Sequence, residues 1–133
     1  PKKKVTIQQA LLNNEFKGFQ FVLTENEKIF GGGERALPLN RRGYKFNLYN
    51  NPWYGYSEGA DNLNYSVPFF TSSNGYGLFF DNPSKGYVDI GKTNNNIFSI
   101  TFMNFKKTIF IDNSFDNIMH IIWFICIFRN NII

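Results

Sequence analysis

Sulfur and imidazole are almost absent from this sequence. The single cysteine, Cys126, excludes an internal disulfide framework and any Cys-rich zinc site, and the single histidine, His120, cannot build a multi-histidine centre. No Cys-His nucleophile signature surrounds either of them, and Cys126 reads as a buried, inert thiol. Long apolar runs are missing too. The longest, Ile121–Phe128, falls far short of the roughly 20 residues that a bilayer span requires. No hydrophobic segment of the secretory type follows Pro1-Lys2-Lys3-Lys4. The net charge of +4 owes three of its positive charges to Lys2, Lys3 and Lys4, which read as a solvated terminus. Neither a nucleic acid nor a membrane is therefore expected as a partner.

Two chemical motifs are also lacking. Gly31-Gly32-Gly33 does not have GxGxxG spacing, and no Lys-Ser or Lys-Thr follows it, so a phosphate cradle is set aside. A glycine triplet after a strand instead points to positive φ or a close backbone approach. The ten acidic residues include no recognisable pair of the kind that glycosidases hold roughly 5–10 Å apart across a sugar. Asp81 reads as a turn residue bonding nearby amides, and Asp89 as a solvent-facing strand position. No catalytic residue, metal ligand or cofactor is assigned.

What the sequence does hold is ring surface and punctuation. Sixteen phenylalanines in 133 residues supply a core. They fall in short β-branched and aromatic runs separated by Gly, Asn, Pro and Asp. Strands are predicted over Phe19–Leu23, Tyr44–Leu48, Ser66–Phe70, Gly77–Phe80, Tyr87–Ile90, Ile97–Phe102 and Thr108–Ile111. Pro68 restricts its run to a sheet edge or a bulge. Asn74-Gly75 and Asp81–Gly86 are turns, and Thr93-Asn94-Asn95-Asn96 is a loop. The pattern predicts an all-β antiparallel sandwich or barrel. One helix signal occurs late, at Ser114–Met119, with Ser114 as N-cap.

Three further features have two readings each. Glu34 with Arg35, Arg41 and Arg42 forms either a buried ionic cluster or a set of solvated side chains. Asn50-Asn51-Pro52-Trp53-Tyr54-Gly55-Tyr56 offers amides for hydroxyls and flat rings for the C–H face of a sugar, although aromatics in a small β domain mostly pack. Asn64-Tyr65-Ser66 fits a glycosylation sequon, a triplet common by chance.

Taken in order, several of these strings are specific. Phe30-Gly31-Gly32-Gly33-Glu34-Arg35, Leu39-Asn40-Arg41-Arg42-Gly43 and Leu48-Tyr49-Asn50 resemble the amino-terminal β-sandwich of family 31 glycoside hydrolases, the α-glucosidases and their α-xylosidase relatives. Tyr65–Phe70, Gly77–Asn82 and Asp89-Ile90-Gly91-Lys92 extend the series, so that it runs from about Phe19 to Lys92. The resemblance implies a galactose-mutarotase-like sandwich ahead of a catalytic (β/α)8 barrel that carries both catalytic aspartates. It also implies an α-linked oligosaccharide as substrate of the full-length enzyme. A loop of this sandwich would reach over the barrel mouth, which makes Asn50, Asn51, Trp53 and Tyr54 the candidate substrate-binding residues. Where some members carry a sugar-contacting Asp after the motif's Asn, this sequence has Asn51, Pro52 and Trp53. Family character runs through Asp112–Met119 and then stops. The chain is accordingly expected to be a fragment: residues 1–119 a partial sandwich, and 120–133 a divergent, frameshifted tail. The alternatives are a free-standing carbohydrate-binding module that uses Trp53, Tyr54 and Tyr56 as a platform, and a structural or interaction domain without a ligand.

Overall fold

The computed structural model describes residues 7–12, 17–52, 54–60, 65–104 and 109–112, with side chains placed from Gly18 to Asn104 within those ranges. The helix signal at Ser114, Asn64 of the sequon, His120, Cys126 and the boundary at residue 119 lie outside the described residues.

Nine strands follow one another: β1 Ile7–Leu12, β2 Lys17–Val22, β3 Ile29–Gly33, β4 Tyr44–Leu48, β5 Ser66–Ser72, β6 Gly77–Phe80, β7 Gly86–Ile90, β8 Ile97–Phe102 and β9 Ile109–Asp112. They form two antiparallel sheets, β1-β2-β8-β7-β4 and β3-β5-β6-β9, and no helix occurs among the described residues. The expected all-β antiparallel sandwich is thus what the chain forms. Alternation drives the packing: in β8, Phe98, Ile100 and Phe102 are buried while the residues between them are half-buried, as a two-residue period dictates. Phe21, Phe46, Val88 and Ile90 extend this inner face of the larger sheet, and Phe70, Leu78 and Phe80 meet it from the smaller one. The rings interlock across the layers. Phe70 and Phe98 stand 5.2 Å apart at 76°, and Phe21 and Phe80 stand 6.1 Å apart at 69°. Both are the edge-to-face geometry that the ring quadrupole favours.

Two strands depart from the expectations. Nothing in Gln8-Gln9-Ala10 signals a strand, yet β1 pairs along β2. The glycine triplet does not follow a strand; it forms the end of β3. Gly31, Gly32 and Gly33 all have positive φ (108°, 82° and 84°). Their sites are also closed to a side chain, because a Cβ would fall 2.3 Å from the Phe69 carbonyl oxygen at Gly31 and 2.7 Å from the Phe46 ring at Gly32. Opposite them, the register jumps from Gly31↔Phe70 to Gly33↔Ser66, so Val67–Phe69 face the single Gly32. Pro68 sits in this bulge, where its missing N–H breaks no ladder bond. The strand is nevertheless an interior one.

The arginines resolve into neither reading offered for them. Glu34 is exposed, while Arg35 turns inward and donates to the carbonyls of Glu34 and Asn47 (3.0 and 2.8 Å) and to the Ser66 hydroxyl (2.7 Å). Its guanidinium lies 4.7 Å from the centre of the Phe46 ring. Buried Arg41 donates to the carbonyls of Gly31 (3.1 Å), Leu37 and Pro38 (2.7 Å each). Arg42 binds those of Thr24 (2.6 Å), Glu27 (2.8 Å) and Asn95 (2.7 Å). Main-chain oxygens, joined at Arg35 by the Ser66 hydroxyl, serve these cations and fasten the 34–43 connection to the strand ends around it.

Candidate functional site

The two ends of the sandwich are built differently. At one end, the turn after β2 is latched to the β5–β6 hairpin through Glu27, which is almost fully buried. Its carboxylate accepts from the Ser72 hydroxyl (2.5 Å), from the Tyr76 hydroxyl, and from the Thr24 amide (2.9 Å) and hydroxyl (3.2 Å). Burial pushes this carboxyl up. The donors, led by Ser72 and Tyr76, outweigh that and hold it below its ordinary value. Burial, and then the hydrogen bond to Glu27 and its charge, push the Tyr76 hydroxyl well above its usual range, so it stays a donor. The adjoining hairpin turn uses positive φ at Gly75 alone, its N–H donating to the Ser72 carbonyl (3.0 Å).

The other end carries the β4–β5 connection with the candidate residues. Asn50, Asn51 and Tyr54 lie there, all exposed, Tyr54 at 94%; Trp53 lies outside the described residues. The connection is tied down by the Gly59 amide, which donates to the Ala36 carbonyl (2.8 Å). Exposed aromatic surface gathers at this end: Tyr49, Tyr54, Tyr56 and Tyr65, with Met103 from the end of β8. Beneath lies a cleft of about 190 Å³, whose walls include Tyr49, Asn50, Ser66, Asn82, Ser84 and Phe102. This is below the roughly 300–1,000 Å³ of ligand pockets that enclose their guests. The cleft is half open to solvent, a wall and not an enclosure.

The polar groups of that wall are partly committed. Asn50 Oδ1 accepts the Ser66 amide (2.6 Å), and the Ser66 hydroxyl donates to the Tyr49 carbonyl (3.1 Å) while accepting from Arg35. Asn50 therefore joins the exit of β4 to the entry of β5, a role its exposed position in the sequence did not announce. Asn50→Ala is expected to destabilise the chain by about 1–2 kcal/mol, read as a lower urea midpoint; an unchanged midpoint would show that the bond contributes nothing. Asn51 and Tyr54 make no hydrogen bond with a described residue. Across the cleft, Asn82 Oδ1 accepts the Ser84 amide and hydroxyl (2.9 and 2.7 Å) and its Nδ2 donates to the Asn104 carbonyl (3.0 Å). Sequence reading saw Asp81–Gly86 only as a turn. The Asn-Pro-Ser signature of a side-chain-closed turn was the available signal, and Asn82, not Asp81, does the closing.

The acids whose side chains are described offer no catalytic pair. Asp81, Glu25, Glu34 and Glu58 are exposed, and Glu27 is consumed by the latch. Asp89 is buried instead of facing solvent, because the 91–96 turn folds over it: its carboxylate accepts the Lys92 amide (2.8 Å) and the Thr93 hydroxyl (2.5 Å), with Lys45 at 3.6 Å. Burial raises its pKa, but these donors and Lys45 lower it further, for a net depression. A general acid needs the opposite shift. Among the described residues, no group of three His, Cys, Asp or Glu side chains is placed to hold a metal ion.

Residues 8–89 match the family model described as glycosyl hydrolase 31 N-terminal galactose mutarotase-like domain. The chain is 40% identical over 68 residues to an α-xylosidase of Emericella nidulans, covering 51% of this chain and 8% of that protein. It is 33% identical over 69 residues to an α-xylosidase of Lactiplantibacillus pentosus, covering 52% of this chain and 9% of that one. Among solved structures, the GH31 dextranase of Flavobacterium johnsoniae superposes with a TM-score of 0.67 at 35% identity, over 71% of this chain and 12% of the dextranase. The chain thus spans only a small part of the length of the relatives it matches.

Proposed function

The chain belongs to the glycosyl hydrolase 31 N-terminal galactose mutarotase-like domain family, and from that premise we propose that it is the non-catalytic, pocket-shaping portion of a retaining α-glycosidase. In the complete enzyme, a (β/α)8 barrel of the same chain supplies two carboxylates. One attacks the anomeric carbon and the other acts as acid and then base on an α-linked oligosaccharide. The present residues close one side of the pocket. The observation that carries this reading is the half-open cleft below the β4–β5 connection, whose wall sets the Tyr49 ring beside the amides of Asn50 and Asn82.

Asn51, Trp53 and Tyr54 are assigned to the leaving-group side, where a ring packs against the C–H face of a pyranose and amides meet its hydroxyls. Asn50 holds the base of the loop. The chain alone is expected to release no chromophore from an aryl α-xyloside or α-glucoside; saturable turnover would overturn the assignment. In the complete enzyme, Tyr54→Ala is expected to raise KM for an oligosaccharide several-fold with kcat little changed, and to leave aryl glycosides, which lack a leaving sugar, unaffected. Equal effects on both substrates would remove Tyr54 from that subsite.

A further inference from the structure

The outer face of the larger sheet carries a second concavity, far larger than the cleft. The register places Gln20 opposite Ser99, Ser99 opposite Asp89 and Asp89 opposite Lys45, so these side chains form one row across β2, β8, β7 and β4. Thr101 and Tyr87 face each other in the neighbouring row. Two residues of rise separate the rows by about 7 Å, and four strands span about 14 Å. The turn bearing Thr93 and Asn94 stands up at one side. The result is a trough of about 460 Å³, within the range of volumes that hold small ligands.

Its chemistry is selective. Gln20, Ser99 and Thr101 are half-buried, yet their side chains make no hydrogen bond with a described residue. They offer an amide and two hydroxyls at fixed spacing on a rigid sheet. Tyr87, 38% exposed in a strand otherwise buried from Gly86 to Ile90, presents its ring and hydroxyl to the same space. The two charges present, Lys45 and Asp89, neutralise each other at 3.6 Å. An anion finds no net positive field there, and an apolar chain finds too many polar groups. A ligand that matches is neutral and rich in hydroxyls, with one flat apolar face.

We propose that this trough is a carbohydrate-binding surface that takes a short neutral oligosaccharide, one pyranose ring lying on Tyr87 while Gln20, Ser99 and Thr101 bond its hydroxyls. It lies on a sheet face, apart from the β4–β5 loop, and does not depend on the pocket-shaping role. Affinity is weak, since an open trough buries only part of its guest.

The test is an NMR titration of the 15N-labelled 133-residue chain with maltotriose and, separately, isomaltotriose. Saturable shifts in the millimolar range are expected at the amides of Gln20, Tyr87, Ser99 and Thr101. Tyr87→Ala is expected to weaken binding about tenfold or more, whereas Tyr54→Ala leaves it unchanged. Thr101→Val, which keeps the shape and removes the hydroxyl, is expected to weaken binding while the spectrum stays dispersed, and it decides the matter if Tyr87→Ala fails to fold. The absence of saturable shifts at these four amides overturns the proposal. So does binding that Tyr54→Ala removes and Thr101→Val spares, an outcome that assigns the sugar to the loop.

Discussion

Gly32→Ala is expected to destabilise the chain by about 2–5 kcal/mol, the sum of left-handed backbone strain and overpacking. The backbone there has φ of 82°, and the added methyl would sit 2.7 Å from Phe46 Cζ and 3.1 Å from Phe70 Cε1. Neither ring can retreat easily. Phe46 is fully buried beneath the Arg35 guanidinium, and Phe70 is wedged edge-on against Phe98 and Phe80. Gly75 supplies the control, because it has the same φ of 82° with nothing within 4 Å of its added methyl. Gly75→Ala is expected to show the strain alone, about 1–2 kcal/mol. Urea midpoints of the two variants separate the contributions. Equal losses would mean that the ring contact at position 32 is not limiting.

Glu27→Gln ranks second, with an expected loss of about 2–3 kcal/mol at neutral pH. The carboxylate gathers four donors at the latched end, and an amide cannot accept from all of them. Its pH dependence has a definite sign. A carboxyl held below its ordinary value of 4.5 stabilises the folded chain fully above that value, and the contribution disappears as the pH falls through the lower folded-state value. Glutamine does not titrate, so the gap between wild type and variant should be widest at neutral pH and close on acidification. A gap that stays constant or widens below pH 4.5 would show that the carboxylate is not favoured by folding.

How much of this was legible from composition and pattern depended on the range of the cause. β4 and β8 alternate because one face of each is buried, and a two-residue period is written in adjacent letters. β1 is not legible that way. Gln8, Gln9, Ala10, Leu11 and Leu12 have no strand preference, and their conformation follows from pairing with β2. The glycine triplet announced positive φ but not its cause, which is the Phe46 ring and the β5 backbone closing on it. Nothing beside Glu27 in the sequence marks its role, since Ser72 and Tyr76 arrive from 45 and 49 positions away. Asp89 was placed by strand parity alone, which says nothing of the following turn folding back over it. The candidate loop was visible through its amides and rings. The tie from Asn50 to Ser66 was not, because it joins strands of different sheets.

The manner in which Arg41 and Arg42 are held bears on how this segment can vary. An acceptor that belongs to the main chain is present whatever side chain hangs beside it. Leu37, Pro38 and Asn95 can therefore be exchanged for many residues without undoing the contacts they receive, provided the local path of the chain survives. The donors have no such latitude, because lysine cannot reach two or three oxygens at once with a planar fork. Variation should accordingly be lopsided: broad tolerance where the oxygens are, and intolerance at positions 41 and 42.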